Sequence, residues 1–208
     1  MVTDFEEHLS RLYSCRACPN VVGEPVTGAV PGAEVMLVGQ APGPHEADER
    51  RPFAYTAGKR LFSWFRERLG VEESDFRARV HIAAVIRCFP GKDPSGGDRV
   101  PTPQEIDRCA EHLNREIGLL RPRLVIAVGT LASAALLGIS QLKDAVGRKH
   151  RAERAGARFD VVVLPHPSGR STWLNKPENA ALLEASLQLI SAHRAWQKAF
   201  GYNRRRKR

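Results

Sequence analysis

Four short stretches of the chain are almost continuously apolar: Glu34 to Gly39 (EVMLVG), Val80 to Ile86 (VHIAAVI), Leu124 to Gly129 (LVIAVG) and Asp160 to Leu164 (DVVVL). They do not alternate between polar and apolar positions, so each is expected to be buried on both faces, as strands of a parallel sheet are. Between them run amphipathic patterns of helical period, at Ala57 to Leu69, Pro103 to Leu120, Leu131 to Leu137 and about Pro177 to Lys198. Thr102, Pro103 and Glu105 form a capping box with proline at the first helical position, which marks one helix start sharply. Strands alternating with helices predict a three-layer α/β/α sandwich around a four-stranded, mainly parallel sheet. Its ligand crevice is expected at the carboxyl ends of the strands. The unusual sequences follow those ends: GQAPGPHE after the first run, RCFPGKDPSGGD after the second, GT after the third and PHPSGRST after the fourth. No internal repeat is visible, and Asp93 to Asp98 is the one stretch that reads as a flexible loop.

Composition narrows the class. The chain has 208 residues, which suits one domain with a substantial core, read here as residues 1–203 followed by a basic tail at 204–208. The start, MVTDFEEHLS, is acidic and polar and resembles no signal or transit sequence, so a cytoplasmic, intracellular protein is expected. Leu124 to Ile139 is apolar or small almost throughout, but Gly129 and Thr130 interrupt it and it is shorter than the ~18 residues of a membrane span; it reads as a buried strand turning into a helix. Net charge is +9, but five of those charges are the terminal Arg204 to Arg208, leaving +4 for the body. An acidic partner suits this surface, and the tail is either a solubilising extension or an arm that tracks phosphates.

The four cysteines change the picture most. Cys15 and Cys18 have 2 residues between them, Cys18 and Cys88 have 69, and Cys88 and Cys109 have 20. In an intracellular protein this argues for thiolate ligation over disulfides, by zinc or by an iron–sulfur cluster; a redox dithiol would leave Cys88 and Cys109 unexplained. Arg16, Arg87 and Arg108 each adjoin a cysteine, and positive neighbours favour thiolates. The loops offer further chemistry. GQAPG is a tight turn in which Pro42 stiffens the backbone and Gln40 offers an amide, without the spacing of a phosphate cradle. Phe53, fourteen residues beyond Gly39, sits in a small-residue loop where its ring could stack on a planar ligand. His166, fixed between two prolines at a strand end, is placed to donate a hydrogen bond to developing charge. Ser168, Gly169 and Ser171 are small donors suited to phosphates, and Arg170 projects among them.

Taken together these motifs resemble the uracil-DNA glycosylase superfamily, and most closely its iron–sulfur class, family 4. That class has a GEAPG loop, a phenylalanine fourteen residues after the loop's first glycine, an Ala-Gly pair opening the next helix, a cysteine-proline loop running through PTPEE to the last cysteine, and a late His-Pro motif. The corresponding residues are GQAPG, Phe53, Ala57-Gly58, Cys88 through PTPQE to Cys109, and His166-Pro167, a match from about Cys15 to Ser171. The resemblance implies a 4Fe-4S cluster on Cys15, Cys18, Cys88 and Cys109, and hydrolysis of the N-glycosidic bond of uracil or another deaminated base in DNA by a monomer that starts base excision repair. It places Phe53 on the extruded base, Gly39, Gln40 and Ala41 at the base edge or a water, His166 at the departing base, and Ser168 to Ser171 on the DNA backbone.

Three positions depart from that pattern. Gln40 replaces the acidic residue of GEAPG, although Glu46, Asp48 and Glu49 follow closely. Ala84 stands where family 4 has an asparagine that reads the uracil edge, a character shared with the broader-specificity family 5. Tyr55 replaces a glycine. A module that binds damaged or single-stranded DNA without catalysis is therefore one alternative. A zinc-stapled enzyme acting on free nucleosides is another, although Arg66, Arg68 and the tail favour a polymer.

Overall fold

The computed structural model describes residues 3–168 and 173–201. Helix α1 (Asp4–Tyr13) leads into β1 (Val35–Gly39), followed by α2 (Glu46–Glu49), α3 (Thr56–Leu69), α4 (Glu73–Arg79) and β2 (Val80–Ala84). The order continues through α5 (Pro103–Leu120), β3 (Leu124–Val128), α6 (Thr130–Leu137), α7 (Leu142–Ala145), β4 (Lys149–Arg154), β5 (Ala157–Leu164), α8 (Pro177–Ala192) and α9 (Arg194–Phe200), with one 3-10 turn at Trp173–Asn175. The predicted capping box is present: the Thr102 hydroxyl accepts from the Glu105 amide, and the Glu105 carboxylate accepts from the Thr102 amide. A second box, Thr3 with Glu6, starts α1, an element the polar N-terminus did not announce.

One sheet carries the strands in the order β2-β1-β3-β5-β4. The four predicted runs form its parallel part, and every residue of β1, β2 and β3 is buried, as continuous apolar runs require. Side chains pointing one way (Leu37, Ile82, Ile126, Val162) join α3, α4, α8 and α9 in one core; those pointing the other way (Met36, Ala83, Val125, Val161) join α5, α6 and α7 in a second. The three layers are thus as expected.

The strand number is not. A fifth strand, β4, pairs antiparallel with β5 at the sheet's edge. Its sequence, KHRAER, alternates between exposed and half-buried positions, so no apolar run betrays it, and its charges are those that keep an edge strand from pairing with other chains. The last helical pattern is also two helices. His193 breaks it in an extended conformation and caps α9, its Nδ1 accepting from the Ala195 amide at 3.1 Å. Among the described residues no helix is long and apolar enough to cross a membrane, and Leu124 to Ile139 is indeed β3 running into α6.

Candidate active site and cysteine cavity

The chain leaves β1 toward β2 on one side of the sheet and later returns to place β3 on the other. Loops after β1 and β3 therefore diverge, and a crevice opens at their carboxyl ends. Val38 pairs with Ala127, so Gly39 and Gly129 lie at the ends of adjacent strands, one residue out of register and on strands ~4.8 Å apart. Each glycine has a side chain laid against it. A Cβ on Gly39 would stand 2.9 Å from the Phe53 ring, and one on Gly129 would stand 3.4 Å from the His166 side chain. Phe53 and His166 consequently flank one crevice. Ala84, paired with Gly39 and buried, closes the β2 side, and Gln40 is held through its carbonyl, which accepts from the Ile86 amide at 3.1 Å.

Phe53 is locked by its backbone. It has φ 54°, a conformation uncommon for a bulky residue, and groups at both ends hold it there. Arg77 donates to the carbonyls of Pro52 (2.9 Å) and Phe53 (3.1 Å), while the buried Glu46 carboxylate accepts from the amides of Phe53 and Gly43. The Phe53 carbonyl presses so closely on α3 that a Cβ at position 58 would lie 1.7 Å from it, which explains the Ala57-Gly58 pair. Burial pushes the Glu46 carboxyl up to about 7, against the Phe53 and Gly43 amides and Arg77, which favour its ionisation.

His166 Nδ1 accepts from the Ser168 amide at 3.2 Å, which leaves the neutral ring's proton on Nε2. Burial holds its pKa below the usual histidine value, and the charge of Asp98 works weakly the other way. Asp98 also raises Glu46, so its carboxylate, on the long connection after β2, acts on groups from both sides of the crevice. That connection is tighter than its glycine-rich sequence implies. Lys92 and Asp98 bridge across it at 2.6 Å, Asp93 accepts from Ser95, and Arg99 ties it to Pro90 and to Glu105. The candidates Gly169, Arg170 and Ser171, and the tail 204–208, lie outside the described residues. Arg66 and Arg68 do not face the crevice: they stand about 15 Å down α3 from its first turn, beside Glu67 and Glu184.

Cys15, Cys18, Cys88 and Cys109 line a single cavity of about 110 Å³, together with Arg16, Arg87 and Arg108. Burial, reinforced by the other three cysteines, pushes the Cys88 thiol up to about 12, and Cys18 and Cys109 are raised as well. Among the described residues, no three histidine, cysteine or acidic side chains are gathered closely enough to hold a single metal ion. Beneath the cavity lies a network that no motif signalled. Arg87, 1% exposed, makes a two-pronged pair with the fully buried Glu116 at 2.9 and 2.5 Å and donates to the Ala84 carbonyl and the Thr27 hydroxyl. His81 and His8 approach the same carboxylate at 3.1 and 3.5 Å. Against the penalty of burial, Arg87 and the two histidines hold Glu116 well below the usual carboxylate range. Its members come from α1, β2, α5 and the residues after β2, so only the tertiary fold unites them.

An aromatic and a histidine thus flank one switch-point crevice of a doubly wound α/β protein, and a separate thiol-lined cavity gathers the four cysteines. Residues 25–189 match the family model described as the uracil DNA glycosylase superfamily, and the chain belongs to that superfamily. It is 31% identical over 175 residues to a type-4 uracil-DNA glycosylase of Pyrobaculum aerophilum, covering 79% of this chain and 83% of the relative. Similarity to the type-4 enzyme of Archaeoglobus fulgidus is 29% identity, covering 78% and 81%. A type-5 uracil-DNA glycosylase of Thermus thermophilus is 30% identical, covering 80% and 83%. Both the family 4 resemblance and the family 5 character of the sequence are thereby matched by relatives.

Proposed function

We propose that this chain is a DNA glycosylase that hydrolyses the N-glycosidic bond of uracil or a related deaminated base in DNA, the opening step of base excision repair. The observation that carries this reading is the pairing of a backbone-locked Phe53 ring with a half-buried His166 across one strand-end crevice. A base reaches such a crevice only after leaving the stack, at a cost of a few kcal/mol, and is then held by stacking and by hydrogen bonds to its edge. Phe53 supplies the stacking face. Gly39, Gln40 and Ala41 line the edge of the base, and Ala84 leaves the β2 side without a polar reader. As the bond breaks, its electron pair stays with the base, and His166 Nε2–H donates to the charge that develops there. Water adds its hydroxyl to the sugar carbon and its proton ends on the departing base, leaving an abasic site and the free base. The Ser168 amide holds the imidazole's orientation, and the segment that follows it meets the DNA backbone.

The four cysteines would hold a 4Fe-4S cluster, which when bound cross-links the N-terminal segment to the Cys88–Cys109 connection and supplies no redox step. A bound cation would offset the burial that keeps the Cys88 thiol protonated, its proton passing to solvent, and the arginines around the cavity suit an anionic thiolate cluster.

The test is incubation of the purified protein with duplex and single-stranded oligonucleotides containing uracil, hypoxanthine or xanthine, followed by alkaline cleavage of abasic sites. Wild type is expected to cleave at one or more of these bases, and His166→Ala to lower the single-turnover rate by ~10²–10³-fold. DNA binding with no abasic product from any base would leave the non-catalytic module, the reading that Gln40 and Ala84 favour. Broad visible absorbance with four irons per chain is expected, and zinc in a colourless anaerobic preparation would overturn the cluster.

A further inference from the structure

Beside the crevice lies an aromatic pair that the reaction above does not use. Tyr55, two residues beyond Phe53, is 59% exposed, unusual for a large ring. One side of it packs against His45 at 4.8 Å and 41°, and His45 is itself exposed at the end of the loop that follows β1. The pair therefore joins the segments on either side of the locked Phe53. The same segments carry Arg50, Arg51, Lys59 and Arg60, all exposed and none with a carboxylate at ion-pair distance among the described residues, and Lys59 lies one helical turn beyond Tyr55. The acids of the same segment are Asp48 and Glu49, exposed on α2, and the buried Glu46.

We propose that Tyr55 and His45 form a stacking platform for an unpaired nucleobase next to the one that enters the crevice, with the neighbouring cations on its phosphates. This deepens the glycosylase reading and rests on it for the direction in which the strand runs. An aromatic face interleaved with cations is how proteins grip single-stranded nucleic acid: every base has a face to stack, and the backbone is drawn by charge. The platform favours single strands, because a paired neighbour would have to leave its own helix to reach Tyr55. It also gives the substitution at position 55 a purpose, since glycine there offers no stacking surface.

The experiment uses the full chain and single-stranded 15-mers with 2-aminopurine immediately 5′ or 3′ of uracil. Stacking quenches 2-aminopurine fluorescence. Wild type is expected to quench one of the two oligonucleotides on binding. Tyr55→Ala should abolish that quench and raise KM on single-stranded DNA by about tenfold, with kcat retained. Tyr55→Phe, which keeps the ring, should behave as wild type. The platform is overturned if Tyr55→Ala quenches and binds as wild type does, or if Tyr55→Phe fails as badly as Tyr55→Ala. Should wild type release no uracil, the same quench and the dissociation constant are read on the intact oligonucleotide, so loss of the glycosylase reading and loss of the platform are separate results. Tyr55 supports no core, and equal melting temperatures for the three proteins confirm that folding is not what changes.

Discussion

The crevice and the cysteine cavity are held in shape by different physics. At the crevice the restraints are local hydrogen bonds and steric contacts: Phe53 is kept left-handed by Arg77 and Glu46, its ring needs the bare Gly39, and its carbonyl needs the bare Gly58. Below the cysteines the restraint is electrostatic, a fully buried Arg87–Glu116 pair tying α5 to the residues beyond β2. Steric locks fix geometry while contributing little to stability, whereas a buried ion pair is costly to break. Damage to the first region should therefore show in catalysis, and damage to the second in folding.

The sharpest break is Glu116→Ala. It leaves the Arg87 guanidinium buried with, among the described residues, only the Ala84 carbonyl and Thr27 hydroxyl as partners. An uncompensated buried charge costs ~3–5 kcal/mol, which urea unfolding should register as a lowered midpoint. For the same reason wild-type stability should fall in acid. Glu116 is held ionised below its ordinary pKa, so its stabilising contribution is complete above that ordinary value and disappears as pH falls through the depressed one. A midpoint unchanged by Glu116→Ala would mean that the pair does not hold this region.

Gly58→Ala is the matching break at the crevice. The new Cβ would meet the Phe53 carbonyl oxygen at 1.7 Å and its carbon at 2.5 Å, backbone atoms that cannot swing aside. Phe53 must shift, and a ring displaced by about 1 Å is expected to lower kcat/KM by ~10²-fold, while stability falls by only ~1–3 kcal/mol. If kcat/KM survives, the lock on Phe53 does not matter to the reaction and the contrast between the two regions collapses.

That contrast also explains what could be read in the sequence. The parallel strands were legible because burial on both faces forces continuous apolar runs, and the crevice loops because glycine, proline and a fixed histidine are unusual at strand ends. β4 was not, since an edge strand such as KHRAER has no buried face to enforce a pattern. The four cysteines announced their cavity through their own chemistry. His8, His81, Arg87 and Glu116 announced nothing, because a buried charge network is made by residues that only the finished fold brings together. Glu46 could be seen near the first loop, but not its grip on the Phe53 amide. Asp98 was placed in a loop that read as flexible, and the Lys92 bridge and Arg99 ties that fix it, though local, carry no motif in the sequence.

The smallest effect tests the finest feature of the crevice, the reach of Asp98. In the proposed reaction His166 is held by the Ser168 amide on its unprotonated Nδ1, so protonation there breaks that hold. Activity should therefore fall as pH drops through the His166 pKa, beyond any change from the titration of Glu46 at about 7. Burial places that pKa below the ordinary value of about 6.5, and Asp98 partly restores it. Linked stability has the same sign. The unfolded chain takes up the proton first, so stability is lost as pH falls from the ordinary value toward the depressed one. Asp98→Asn removes the restoring charge, so the His166 titration seen by NMR and the acid limb of kcat/KM should both move to lower pH. The same substitution should lower Glu46 from its value of about 7, because Asp98 raises that group too. Neither residue supports the cysteine region, so the melting temperature at neutral pH should hardly change. An acid limb that stays in place or moves upward would show that the charge of Asp98 does not act on His166.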